Sequence, residues 1–454
     1  MKKVLAMLLA FGLGICSMAG CSSEGTQDNG GASSKGSSTV SDNGGASDSS
    51  KEKLVIWVHP SEGNLSVFND YCKPLIEEAT GMEVEYVVKS MDGGSWSSYL
   101  NSCVAALAAG EVPDIICSAI EGHQFMLSKN LLAPLDDLIA GDPEGDTFVD
   151  SLVPIAVETF RADDGHLYQL PYSLEMMGIW YNLEMFDEAG IPYIDPKEGW
   201  TWDEFLDISK KLTKEVGGGK IYGAGLQFGA VFSDYPWYLT NGATILDEGF
   251  KSTSCDSEAF QQSMKFLDSL VNEYQVAPMP SSDSTDMVEM FLSERVAMVN
   301  SGGWSVATIK SRFENKYGIA PYPKPADGKE NPSTVYGMCS MGVYKDSPHK
   351  EAAWKAMKIM GSADISEKLW TIGGQSPAVS SVLESDIAKE MYPVGLDTWN
   401  VVAENMTVVP YPVDFPEIET IYQRNLLSLL NGQIDAENAA KTMKEEITTV
   451  LEDN

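Results

Sequence analysis

The chain has 454 residues, 43% of them hydrophobic, with 31 Lys plus Arg against 66 Asp plus Glu and a formal net charge of −35. That length is too great for one ordinary core and implies two or more domains. The acidity excludes a nucleic-acid partner, since phosphate binding needs clustered cations. The arginines, Arg161, Arg295, Arg312 and Arg424, lie far apart in sequence, which disfavours a bidentate clamp on a polyanion.

The N-terminus reads as a secretory signal over residues 1–20. Met1-Lys2-Lys3 is basic, Val4 to Ile15 is nearly all apolar, and small residues follow. The run Met18-Ala19-Gly20-Cys21 resembles a lipobox, with Met18 where Leu is usual, and makes Cys21 the expected site of lipid attachment. Residues 21–52 are mostly Ser, Gly, Asp, Asn and Ala, with Asp-Asn-Gly-Gly-Ala-Ser at both Asp28–Ser33 and Asp42–Ser47. Such a stretch cannot bury enough apolar surface to fold. As a flexible coil it spans roughly 30 Å, so the body is expected on the extracellular face of a membrane, held by a lipid anchor.

The body opens with an apolar strand at Leu54–Val58, a helix through Phe68 to Ala79, and a second strand at Val84–Val88. Trp96, Leu100, Cys103 and Leu107 share a helical face that Gly110 closes as a C-cap. Val112–Cys117 reads as a third strand, in which Asp114 reads as a structural acceptor. Further on, Gly178–Asn182 is strand-like and Thr201-Trp202-Asp203-Glu204 is a capping box. Ile221–Leu226, Val296–Asn300 and Tyr336–Tyr344 read as strands, and Tyr317–Lys329, rich in Pro and Gly, as a loop. Helices are expected at Lys350–Met360, Pro416–Leu430 and Asp435–Leu451, the last two broken by Asn431-Gly432. Alternating strands and helices imply an α/β fold with a mainly parallel sheet.

Beyond the signal and Cys21, five cysteines remain, Cys72, Cys103, Cys117, Cys255 and Cys339, an odd number without paired spacing. A disulfide framework is therefore not expected. The four histidines are scattered, so no metal site and no cofactor is expected.

Several segments together resemble the extracellular solute-binding proteins of ABC importers, in the family that includes the maltose-binding protein. They are Ala108-Ala109-Gly110-Glu111-Val112-Pro113-Asp114-Ile115-Ile116; Leu170-Pro171-Tyr172-Ser173-Leu174-Glu175 with Trp180-Tyr181-Asn182; Gly190-Ile191-Pro192 with Thr201–Phe205; and Glu294 to Trp304. The resemblance implies the type II periplasmic-binding-protein fold: two discontinuous α/β lobes joined by a hinge. It places lobe 1 at 53–173 and 336–382, and lobe 2 at 174–335 and 383–454. It also implies that the chain crosses between them near Ser173–Glu175, Ser333–Tyr336 and Ser380–Ala388.

Ligands in α/β sheets sit beyond the carboxyl ends of strands, which points to the loops carrying Trp57 and Glu62, Glu121, Gly303 and Trp304, and to the neighbourhood of Glu175. The resemblance adds specific expectations: Trp304 as a plate for a sugar ring, Glu121 and Glu175 as ligand-contacting acids, and Trp237 as a cleft aromatic. Trp370 and Gln375 lie on a glycine-rich loop that could approach the cleft. Trp180 and Trp202 read as core. A sugar needs aromatic faces and hydrogen-bonding rims, and these residue types supply both.

The function implied is that of a non-enzymatic, monomeric receptor that captures a carbohydrate, foremost an oligosaccharide, and passes it to ABC permease subunits. The alternatives are a polyol or polyamine as solute, or an extracellular glycoside hydrolase using paired acids.

Overall fold

The computed structural model describes residues 51–452, apart from 92–95, 248, 281–286, 327–332 and 404. The signal, Cys21 and most of the tether lie outside the described residues. No described helix is long and apolar enough to cross a membrane.

Twelve short strands form two sheets among the described residues. The first contains β1 (Lys53–Val58), β2 (Glu83–Val88), β3 (Ile115–Ala119), β4 (Leu170–Pro171) and, from much later in the chain, β11 (Cys339–Val343), in the order β2-β1-β3-β11-β4. The second is built on the fully buried β5 (Glu175–Asn182). With β6 (Lys214–Val216), β7 (Gly219–Gly225), β8 (Val296–Gly302), β9 (Tyr317–Ala320), β10 (Val335–Gly337) and β12 (Thr407–Val408) it runs β12-β10-β5-β8-β7-β6, and β9 also pairs with β5.

These sheets are mixed rather than mainly parallel. β1 runs parallel to β2 and β3, whereas β11 is antiparallel to both β3 and β4. Strands that return from the other sheet enter from the opposite end, which accounts for the antiparallel pairs of β11 and β10, while β6 and β7 form a local hairpin. The first passage is Tyr172–Leu174, between β4 and β5. The second is a single residue, Met338, between β10 and β11. It falls inside Tyr336–Tyr344, expected as one strand and two residues beyond the expected crossing, because both halves are apolar and buried. The third lies between Val379, which bridges to Leu152, and Met391, whose carbonyl accepts from the Tyr317 hydroxyl.

The passages and the residues beside them are bonded to one another. The Cys339 amide donates to Ser173 Oγ at 3.1 Å, the Leu174 amide to the Ser376 carbonyl at 3.0 Å, and the Ile120 amide to the Met338 carbonyl at 3.0 Å. Buried Tyr172, Leu174, Met338 and Cys339 join the cores of the two sheets into one cluster.

Local signals shape the elements as expected. Thr201 and Glu204 form a reciprocal capping box on the helix Trp202–Leu212. Gly110 takes φ +90° just past the helix Trp96–Ala108, a left-handed value that suits glycine. The C-terminal helices Phe415–Leu430 and Ala436–Glu452 flank Gly432 at φ +68°. Tyr317–Ala320, expected as loop, is a buried strand, since the Pro-rich composition that suggested a loop begins only at Pro321. The five cysteines are buried and unbridged.

Asp114 is an interior acceptor. Its carboxylate receives the Val55 amide at 2.8 Å and the Ser347 hydroxyl at 2.6 Å, with His349 Nδ1 at 3.1 Å. Removing it leaves a part-buried strand amide and a buried hydroxyl without their acceptor. Asp114→Ala is expected to lower unfolding free energy by about 3 kcal/mol, read as an earlier midpoint in urea; an unchanged midpoint would refute that structural role.

Candidate functional site

A cleft of about 640 Å³ opens where the passages meet, within the size range of small-molecule sites. Its walls come from six places. His59 follows β1, Trp96 opens a helix after β2, and Glu121 follows β3. Met338 forms the second passage, Glu175 directly follows the first, and Gln375 lies shortly before the third. Phe232 and Trp304 project from the second sheet's side, and Tyr411, Phe415 and Glu419 come from the C-terminal segment.

Glycines set the close approaches. A Cβ at Gly302 would meet the Trp304 ring at 2.1 Å, so that ring lies directly over the end of β8. A Cβ at Gly303 would meet Ser376 Oγ at 2.1 Å and Glu175 Oε2 at 2.6 Å. Only glycine lets this backbone reach the passages. The Phe232 ring, in turn, covers Gly337 and tilts against Trp304 at 5.7 Å between centroids.

Several residues that line this space carry buried polar atoms with no protein partner. Glu175 is 4% exposed; its Oε1 accepts the Ser376 amide at 2.9 Å, but Oε2 accepts nothing. Burial pushes its carboxyl up to about 8. Gln375 Oε1 and His59 Nδ1 are likewise buried and unpartnered. Burial holds the His59 imidazole down at about 4, hence neutral. Burial also raises Glu121 to about 7, with repulsion from Glu419 adding to it, and the Tyr411 hydroxyl lies 3.4 Å from Glu121 Oε1. Glu419 itself is raised by burial. Behind the wall, Asp234 accepts the Gly229 amide and the Tyr422 hydroxyl and is pushed by burial up to about 8. A buried acceptor without a donor is costly, so the cleft is primed for hydroxyl or amine donors.

Residues 61–366 match the bacterial extracellular solute-binding protein family. The chain belongs to that family. The maltotriose-binding protein of Pyrococcus abyssi is 25% identical over 334 residues, covering 73% of this chain and 67% of its own length. The chain thus spans about two thirds of that relative. Two similar solved structures are the substrate-binding protein of Listeria monocytogenes in complex with cycloalternan (TM-score 0.76, 22% identity) and a solute-binding protein of Thermotoga lettingae bound with α-D-tagatose (TM-score 0.74, 24% identity). Each match covers 88% of this chain, with 99% and 100% of the respective relative. The fold is the two-lobed type II binding-protein fold, each sheet with its helices forming a lobe.

The structure brings Trp304, Glu121, Glu175 and Gln375 to the cleft, with Gly303 directly beneath Glu175. It leaves four expected residues elsewhere. Trp57 is buried under the helix Trp96–Ala108, among Tyr99, Leu100 and Ile116, with Lys89 over its ring; strand alternation turns it to that face while Ile56 and Val58 face the other. Glu62 is exposed in the first turn of the helix Glu62–Val67, where an acid suits the helix dipole. Trp237 is sealed among Phe205, Phe266 and Tyr322, and Trp370 is buried against Tyr392. Trp96, Phe232, Phe415 and Glu419 were not anticipated. The strand-end rule, applied after β2, points to Trp96; nothing local marks the C-terminal helix as a wall.

The raised carboxyls fix a sign for pH. Between the ordinary carboxyl range and about pH 8 the folded state holds protons that the unfolded state has released, so stability falls as pH rises. The ligand-free protein is expected to lose stability from about pH 6.5, above which the buried histidines no longer oppose the fall, to pH 8, and Glu175→Gln to flatten that fall by on the order of 1–3 kcal/mol. Urea titrations at several pH values check this; an identical slope in the variant would contradict it.

Proposed function

We propose that this protein is a receptor for a carbohydrate, foremost an oligosaccharide, that performs no chemistry and passes its cargo to the permease of an ABC importer. The observation that carries this reading is the pairing of Trp304 and Phe232 with the unpartnered acceptors Glu175 Oε2 and Gln375 Oε1 in one cleft. Ring faces need aromatic plates, and hydroxyl rims need fixed acceptors. The sugars named for the relatives belong to the same chemical class.

In this reading the lobes close about the bonded passages, and the sugar drives closure by binding the closed form better than the open one. Lobe 1 comprises residues 53–173 and a segment from Met338 to about 382, and lobe 2 the remainder of the body. Glu121 reaches the sugar from lobe 1 and Trp304 from lobe 2. The protein acts as a monomer on the extracellular face of the membrane, anchored through acyl chains on Cys21.

Two experiments test this. A cognate glycan at 100 times its dissociation constant adds about 2.7 kcal/mol to stability, visible as a raised melting midpoint in a sugar panel. Trp304→Ala is expected to weaken that glycan by about 10-fold or more; a flat panel, or release of a cleaved product, would overturn the reading. For the anchor, cells fed labelled palmitate are expected to label the parent protein and not Cys21→Ala, which would be shed to the medium. Equal labelling of both would exclude Cys21 as the lipid site.

A further inference from the structure

The cleft is acidic without any compensating base. Glu121 of lobe 1, Glu175 beside the first passage and Glu419 of the helix Phe415–Leu430 all line it, and no Lys or Arg occurs among its described lining residues. No ion pair among the described residues reaches any of the three acids. His59 on the same wall is neutral through burial. Two of the unpartnered atoms, Glu175 Oε2 and Gln375 Oε1, belong to side chains more than nine-tenths buried.

A neutral sugar satisfies such acceptors one hydroxyl at a time, yet leaves these acids, which burial drives to keep their protons, without the counter-charge that would let them ionise. Unpaired ionised carboxylates are expensive to bury. An ammonium group supplies both the charge and three donors. The ring faces of Trp96, Phe232 and Trp304 in a cleft of about 640 Å³ suit rings better than a thin polyamine chain, and aromatic walls also favour a nearby cation.

We propose that the preferred cargo is a saccharide bearing a protonated amino group, with the ammonium held between Glu121 and Glu419 and the sugar rings against Trp304 and Phe232. This rests on the carbohydrate reading and narrows it.

Calorimetry on the purified protein at neutral pH, with glucose, maltose and cellobiose each beside its 2-amino-2-deoxy counterpart, and with spermidine, tests it. At least one amino form is expected to bind about 10-fold or more tighter than its neutral partner, a difference of about 1.4 kcal/mol. Glu419→Gln and Glu121→Gln should each shrink the ratio of the amino form's affinity to its neutral partner's. Neutral forms binding as well as amino forms would overturn this inference and leave the carbohydrate receptor standing. A preference untouched by both variants would overturn the placement of the ammonium. No saccharide of either kind binding, whether or not spermidine does, would overturn the carbohydrate reading and this inference together.

Discussion

The structure depends on chain passages and the residues beside them, bonded together at the floor of one cleft. Ser173 Oγ takes the Cys339 amide, the Ser376 carbonyl takes the Leu174 amide, and Glu175 Oε1 takes the Ser376 amide. These bonds cross sequence separations of up to about two hundred residues, so segments remote in the chain meet within a few ångströms. Met338 alone separates strands of different sheets, and in the proposed reading a change at a few such dihedrals swings one lobe on the other.

The floor also sets the electrostatics. Glu175 spends one oxygen holding two passages together and presents the other without a partner. Its depth raises its proton affinity, and in the proposed reading a ligand supplies the missing partner. Function here is stored as an unsatisfied acceptor in an otherwise satisfied junction. Gly303 is its counterpart: the lack of a side chain there lets the second lobe's backbone come against Glu175 and brings Trp304 to the rim.

How much of this the sequence shows depends on whether the cause is local. The capping box at Thr201 and Glu204, the turn at Gly110 and the break at Gly432 rest on contacts within a few residues and are legible directly. Trp304, Glu121 and Glu175 were found through motif order joined to the rule about strand ends. The rest depends on tertiary placement. Trp57 lies next to a strand end but on the wrong side of the pleat, and Trp237 and Trp370 carry the right chemistry yet pack inward. The split at Met338 is invisible because apolar residues continue across it. Phe415 and Glu419 reach the cleft only because their helix docks beside the helix Val231–Leu239, where Tyr422 meets Asp234 across 188 residues.

The measurement that bears most directly on the central claim is a crystal structure of the protein grown with the saccharide that gives the largest thermal shift. The account predicts the sugar in the cleft, a ring face on Trp304, and donors to Glu175 Oε2 and Gln375 Oε1. A sugar bound elsewhere on the surface, with these two atoms still unpartnered, would contradict it.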